Sequence, residues 1–356
     1  MQQVHVRKDS IGEAELVECE PGGLAENAVR FEIESFSVTA NNVTYAVVGD
    51  GFGYWNFFPA PDGMGIVPMW GHARAIESNH PDIAVGERIY GYLPMATHLD
   101  VVPGKVTAGG FTDKAEHRQP MSPIYNQYSR LAADPEHDPA REGERMIFGP
   151  LFRTGFLIEY FMRSQNWFGS TQVILTSASS KTAMGLASVA KHRSPDVKRV
   201  GLTSAGNVRF VEESGLYDQV LSYEAVDSIV AEPSVSVDFA GNASLLRAIH
   251  QHLGAALKYS CLVGVTHIEE RGEGLDGISG PTPTLFFAPD HAVALFKSVG
   301  TEEAGQQIAQ SWRAFLADVG DSVTIERRSG LAAARDAFVQ MVGGKVDPAR
   351  GIVIEP

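Results

Sequence analysis

The stretch from Val173 to Ala187, Val-Ile-Leu-Thr-Ser-Ala-Ser-Ser-Lys-Thr-Ala-Met-Gly-Leu-Ala, constrains this chain more than any other. Its apolar start reads as a short buried strand. Small polar residues then form a tight turn, and a helix follows from Lys181. That order presents backbone N–H groups and the positive end of a helix dipole at the turn, where an anion can sit. The turn lacks the glycines such anion cradles commonly carry, with serines and Lys181 in their place.

The same alternation continues. Strands are expected over Gln172–Ser177, Arg199–Thr203, Gln219–Ser222, Ser234–Phe239, Lys258–Val265 and Thr284–Ala288. Helices are expected over Lys181–Lys191, Val208–Glu213, Ala243–Leu253 and Asp290–Val299. Apolar strands alternating with helices imply a parallel sheet covered on both faces, and right-handed crossovers make it doubly wound. Before about residue 125 no helical period is sustained. Phe31–Val38 alternates with period two, as a half-buried strand does, and Val85–Tyr92 reads as a turn feeding another. The first part is therefore expected to be a small barrel-like β domain. The texture changes near Pro150, where Leu151–Ser164 becomes helix-like, and the charged loop Ala133–Glu144 is expected at the surface. The tail gives a helix over Glu302–Leu316, a strand over Ser322–Arg327, a helix over Leu331–Val342 and a strand over Gly351–Ile354. Its β character implies a return to the first domain. The expected division is 1–150 with 318–356 for the barrel-like catalytic domain and 151–317 for the nucleotide-binding domain.

With 356 residues, two domains are the default, and a formal net charge of −14 repels phosphate backbones and argues against nucleic-acid binding. No apolar run reaches the length of a membrane span, and the opening residues lack a signal-peptide core, so a cytoplasmic location is expected. The two cysteines, Cys19 and Cys261, make no disulfide framework, and Cys261 lies in an apolar run as a buried thiol would.

Several runs, in order, resemble landmarks of the medium-chain dehydrogenase/reductase superfamily. Phe36–Tyr45 resembles the strand and loop leading to its catalytic centre, and Val85–Gly91 resembles its V-x-x-G-D-R-V-x-G turn. Val237–Gly241 resembles the D-x-x-G end of a nucleotide-domain strand. Ala337–Lys345 with Gly351–Ile354 resembles the closing helix and strand. The resemblance implies an α/β fold: a GroES-like β-barrel domain plus a doubly wound parallel-sheet (Rossmann) nucleotide-binding domain. Gly71-His72 resembles a zinc-ligand G-H-E motif, but Ala73 replaces the glutamate and no cysteine lies near residues 41–45. His72 is read as a packed histidine and no metal is expected, because zinc needs a full ligand set. The chain thus resembles the zinc-free branch of quinone and enoyl reductases.

For a nucleotide, Ser177, Ser179, Ser180, Lys181 and Thr182 form the expected phosphate turn, with the simple helix cap as the alternative reading. The second strand ends Thr203-Ser204-Ala205-Gly206-Asn207-Val208-Arg209, without the carboxylate of NAD-specific folds. Thr203, Ser204, Asn207 and Arg209 therefore favour NADP(H), although Arg209 also fits a solvated helix position. Gly241, Thr266 and Phe287 are the remaining candidate cofactor contacts, and Phe286 could wall the same pocket. For the chemistry, the resemblance puts Asn42, Thr44 and Tyr45 in a loop facing the nicotinamide, with Tyr54 near the spacing of an enoyl-reductase tyrosine. Tyr45 and Tyr54 stand as rivals. Asn41 and Asn42 could equally build a turn, and the aromatic group Tyr54-Trp55-Asn56-Phe57-Phe58 with Trp70 could be a substrate cleft or plain core. The expected reaction is reduction of an activated C=C or C=O group in a small-molecule substrate. The rival is a degenerate relative that binds a ligand or partner without turnover. The resemblance also implies a homodimer paired through the apolar edge Thr284–Ala288.

Overall fold

The first strands form two sheets whose interiors are set by apolar residues. A computed structural model describes residues 1–263, 277–320, 322–344 and 347–356. The strands are β1 (Gln2–Arg7), β2 (Ser10–Glu18), β3 (Val29–Val38), β4 (Met64–Gly65), β5 (Pro68–Ser78), β6 (Arg88–Pro94), β7 (His98–Val101), β8 (Pro103–Gly104), β9 (Gly110–Asp113) and β10 (Gln127–Arg130). β2, β1 and β4 make one small sheet. The strand β3 was expected to be half buried. It is buried along nearly its whole length, because the chain's last strand (Arg350–Glu355) and β5 flank it and β7 also pairs with it. Only Glu32 is exposed.

A helix, α1 (Ala40–Val47), follows β3 directly. This corrects the expectation of a loop at Asn41–Tyr45 and of no helix before residue 125. The two asparagines suggested a turn, but one of them caps the helix instead. The Asn42 Oδ1 accepts from the Thr39 N–H at 2.6 Å, closing the first turn.

Helix α2 spans Glu142–Ser164 with Pro150 inside it. A proline has no N–H for the carbonyl four residues back. That carbonyl belongs to Met146, and the Ser37 hydroxyl donates to it at 2.8 Å. Helix α2 starts well before the expected Leu151. Its first residues draw the charged loop inward, so Asp134 and Arg145 form a buried pair at 2.5 Å.

The second set of elements alternates as expected: β11 (Gln172–Leu175), α3 (Lys181–Arg193), β12 (Lys198–Thr203), α4 (Val208–Glu213), β13 (Gln219–Ser222), β14 (Ser234–Asp238), α5 (Ala243–Leu253), β15 (Leu257–Leu262), β16 (Thr284–Leu285), α6 (Ala288–Val299) and α7 (Thr301–Val319). All six strands are parallel, in the order β13-β12-β11-β14-β15-β16. The order reverses between β11 and β14, which is where doubly wound sheets bind ligands. The last strand is shorter than expected: Phe286 and Phe287 lie beyond it, and Phe287 caps α6. Cys261 is fully buried in β15, and both cysteines are free.

The chain closes with β17 (Thr324–Ser329), α8 (Leu331–Val342) and β18 (Arg350–Glu355), and β18 pairs with β3. Two compact units result, Met1–Ile147 with Thr324–Pro356 and Phe148–Val323. Within the second unit, α2 and α3 touch backbone to backbone. A Cβ on Gly155 would lie 2.5 Å from the Leu186 nitrogen, and one on Gly185 would lie 3.0 Å from the Phe152 Cα. No flexible side chain can yield there. Gly155→Val should therefore destabilise the fold by about 1–3 kcal/mol or more, as overpacking does. Urea denaturation of the variant checks this, and a wild-type midpoint would show that the helices separate freely.

Candidate functional site

Two clusters of polar side chains stand out, one in each unit. In the parallel-sheet unit, the end of β11 is tied to the end of β14. The Thr176 hydroxyl donates to Asp238 Oδ1 at 2.6 Å and accepts from the N–H groups of Phe239 and Ala240 at 2.9 and 3.0 Å. The Asp238 carboxylate also accepts from Ala240 and from Gly241, whose φ is 67°. Both partners are buried.

The chain then turns through Ser177, which has φ 46°, a region L-residues rarely occupy. Such a residue costs of order 1–3 kcal/mol unless its surroundings hold it, and it clusters at functional sites. Two tyrosines hold it. The Tyr223 hydroxyl lies 3.2 Å from Ser177 Oγ, and Tyr217 donates to the Ala178 carbonyl at 2.8 Å. The glycine that makes room is on the neighbouring strand: a Cβ on Gly201 would lie 3.0 Å from the Ala178 Cβ. Ser180 caps α3 by accepting from the Ala183 N–H at 3.3 Å. Ser179 receives bonds from Asn207 at 3.2 Å and Thr203 at 3.4 Å.

The structure thus brings together Ser177, Ser179, Ser180, Thr203 and Asn207, with Lys181 and Thr182 opening α3. Ser204 is exposed at the end of β12. Arg209 does not join the hydrogen bonding of this cluster: its side chain is 87 % exposed and pairs with Glu213 at 2.7 Å, one helical turn on. Thr266 lies outside the described residues. Phe286 stacks on His291 with ring centroids 4.0 Å apart. Sequence reasoning missed Tyr217, Tyr223 and Gly201. The available signal was Tyr223, directly after Ser222 at the polar end of β13.

In the first unit the aromatic group is packed core. Tyr45 and Tyr54 have ring centroids 4.6 Å apart, Tyr92 and Tyr125 are 4.9 Å apart, and Trp70 lies 5.1 Å from Tyr92. The Tyr45 oxygen accepts from Asn41 Nδ2 at 2.7 Å and from Trp70 Nε1 at 3.0 Å. Burial pushes its hydroxyl well above the ordinary tyrosine range, against the lowering effect of those two bonds. The Tyr54 and Tyr125 hydroxyls lie 3.0 Å apart. Asn42 is buried and donates to the Pro68 carbonyl at 2.8 Å, while Thr44 turns its hydroxyl onto the Ala40 carbonyl.

His72 sits on β5 beside Tyr90, fully buried, with neither ring nitrogen bonded to the protein. Burial pushes its imidazole down to about 3, and the charges of Arg145, Arg88 and His137 add to this against the pull of Glu142. Glu142 is held down to about 2 despite partial burial, by bonds from Arg88 and His137. Among the described residues, no three His, Cys, Asp or Glu side chains are grouped to hold a metal ion.

Comparison with known proteins places this geometry. A family model described as "Protein of unknown function (DUF2855)" matches residues 36–347. No curated protein sequence matches the chain. Among solved structures, CurA from Vibrio vulnificus in complex with NADPH is 13% identical, with 100% of this chain and 99% of that chain covered and a TM-score of 0.60. Escherichia coli quinone oxidoreductase complexed with NADPH is 14% identical, with both chains covered in full and a TM-score of 0.60. The yhdH oxidoreductase from Salmonella enterica in complex with NADP is 12% identical over both full chains, with a TM-score of 0.53. The chain has their fold, an α/β fold as the sequence led one to expect.

The neutral state of His72 has a consequence for stability. An unfolded histidine binds a proton below about pH 6.5, while the folded one resists it down to about 3. Between those values the unfolded state binds more protons, so stability falls as pH falls, by at most about 1.4 kcal/mol per unit. His72→Leu should flatten this slope between pH 6.5 and 4. Urea midpoints measured across that range check it, and equal slopes in both proteins would show that His72 takes up a proton in the fold.

Proposed function

The chain belongs to the DUF2855 family, and we propose that it is a zinc-free, NADP(H)-dependent reductase of an activated C=C or C=O group, as in an enone, a quinone or an enoyl thioester. The observation that carries this is the strained, tyrosine-braced turn at Ser177, set at the reversal point of a six-stranded parallel sheet and opening onto a 13-residue helix. An anion held by the turn and the helix N-terminus would give the strained serine a purpose.

The residues present fit a dinucleotide phosphate. Ser177, Ser179, Ser180 and Thr182 supply hydroxyls, and Lys181 supplies a cation at the first turn of α3. The end of β12 carries Thr203, Ser204 and Asn207 and no carboxylate, so a 2′-phosphate meets no repulsion there. Lys181 is the cation proposed for that phosphate. Arg209 could serve only by exchanging Glu213 for it. Gly241, Thr266 and Phe287 complete the proposed contacts. When bound, NADPH supplies a hydride. The chain must then orient the substrate and donate a hydrogen bond or a proton to the developing negative charge. The tyrosine hydroxyls of the first unit are the proposed donors. Asn42 and Thr44 are less suited, since their polar atoms are engaged by Thr39, Pro68 and Ala40.

The serine-for-glycine turn also supports a second reading, a relative that binds a nucleotide or another ligand without turnover. Fluorescence titration with NADPH, followed by NADPH oxidation with enones, quinones and enoyl thioesters, separates the two. Binding and turnover are expected. Lys181→Ala should weaken NADPH at low salt by about 1.5–3 kcal/mol, the range of a charge-assisted bond. An unchanged dissociation constant removes Lys181 from the site.

Among the described residues no helix is long and apolar enough to cross a membrane. A cytoplasmic homodimer is part of the proposal. Strand β16 is an edge of the parallel sheet, and its Leu285 is 42% exposed. Pairing two such edges would cover it. Light scattering at micromolar concentration should return twice the chain mass, and a single chain mass would overturn the dimer.

A further inference from the structure

Two buried side chains of the first unit carry hydrogen-bonding groups that the chain itself does not use. His72 lies on β5 with Ser35 of β3 and Tyr90 of β6 opposite it, and neither ring nitrogen has a partner. Arg145, in the first turn of α2, is 2% exposed. Its Nη2 donates to Asp134, but its Nε and Nη1 have no acceptor. Both side chains lie against one ring. The Arg145 guanidinium carbon is 4.3 Å from the centre of the Tyr90 ring, and the His72 ring centre is 5.2 Å from it. A buried donor left unpaired costs its full desolvation penalty, and a charged one costs more. A native structure therefore meets such groups with a water or an ion.

Donors outnumber acceptors here. Nε carries one N–H and Nη1 two, while a neutral imidazole adds one donor and one acceptor. Water would bring two protons of its own, and the one free imidazole lone pair can take only one of them. An anion brings acceptors alone. The surrounding charges are balanced. Glu34 of β3 pairs with Arg74 of β5 and Arg88 of β6, Glu142 of α2 pairs with Arg88 and His137, and Asp134 pairs with Arg145. No carboxylate among them is unpaired to repel an anion, and no arginine is left over to neutralise one. His72 can supply the missing charge. With no anion beside it, burial holds its imidazole down to about 3 despite Glu142, and Arg145, Arg88 and His137 add to the effect. A negative charge set among those groups opposes each of these influences, and a protonated imidazole turns both ring nitrogens into donors.

We propose that the layer between the β3-β5-β6 sheet and the first turn of α2 binds a small monovalent anion of the chloride type, held by the unpaired N–H groups of Arg145 and by His72, which takes up a proton with it. The ion joins the sheet to α2 where the Ser37 hydroxyl already bonds the Met146 carbonyl. It also gives the buried histidine a charged state that the chain alone does not support.

Urea unfolding of the full chain at constant ionic strength, with sodium chloride exchanged stepwise for sodium gluconate, tests this. Gluconate is too bulky to be enclosed. A ligand that binds only the folded state raises the midpoint as its concentration passes the dissociation constant. The midpoint should rise with chloride, and the chloride affinity it reports should be about tenfold higher at pH 5 than at pH 7.5, because a proton is bound with the ion. Bromide should replace chloride, and a bromide-soaked crystal should show its anomalous peak beside Arg145 and His72. Arg145→Lys keeps a cation for Asp134 and removes the guanidinium N–H groups, so it should lose the chloride dependence. His72→Gln should make the chloride effect equal at the two pH values. A readout independent of stability is ¹⁵N NMR of the His72 ring, whose protonation should move to higher pH as chloride replaces gluconate. Equal midpoints in chloride and gluconate at both pH values overturn the proposal, since water then meets the donors. An unmoved His72 titration overturns it as well, and so does a wild-type chloride effect in Arg145→Lys.

Discussion

A hydroxyl and a carboxylate, Thr176 and Asp238, fix the point from which the parallel-sheet unit presents its turn. A buried carboxylate is costly unless its oxygens are bonded. Asp238 accepts from Thr176, Ala240 and Gly241, and Thr176 in turn accepts from two main-chain N–H groups beyond β14. The threonine's one proton and both lone pairs are used. The ends of the two strands flanking the reversal point are therefore one hydrogen-bonded knot. The next residue, Ser177, starts its turn from a fixed position, which is the condition under which an unfavourable φ persists.

That arrangement moves the work of glycine elsewhere. In a glycine-rich turn the missing side chains let the backbone come close to a phosphate and to the neighbouring strand. In this chain the close approach to the strand is made by Gly201 on β12, against Ala178. The positive φ is borne by a serine that Tyr223 engages. The turn consequently offers hydroxyl oxygens where a glycine-rich turn offers bare backbone. An anion there would be met by side-chain donors as well as by the helix dipole.

The sheet unit was legible in the sequence because its signals are periodic and local. Apolar runs of four to six residues separated by amphipathic helices place α4, α5 and β13 at their observed bounds. The strand after α5 ends at Leu262, earlier than expected, and residues 264–265 of that expectation lie outside the described residues. The first unit was less legible. Helix α1 has only eight residues, and Asn41-Asn42 reads locally as a turn until the cap on Thr39 and the bond to Pro68, 26 residues away, are seen. Arg118 and Tyr125 carry no period at all; what defines them is contact with Asp113, Tyr128 and Tyr54. The pairing of Arg209 with Glu213 was legible in the sequence as an i,i+4 spacing.

The hydroxyls of the first unit pose a question that packing does not answer. Phenylalanine fills nearly the same volume as tyrosine without a polar atom, and a buried phenol oxygen offsets its desolvation only when it is hydrogen-bonded. Yet Tyr45, Tyr54, Tyr92 and Tyr125 contact one another directly, next to Phe57, which shows that the site admits a plain ring. Each added oxygen then needs a partner. The chain supplies Asn41 and the Trp70 indole for one, and a second tyrosine for another. It also buries an arginine and an aspartate to hold the segment that carries Tyr125. These are several costs incurred together around one set of hydroxyls, and they are coherent if those hydroxyls act on a bound molecule.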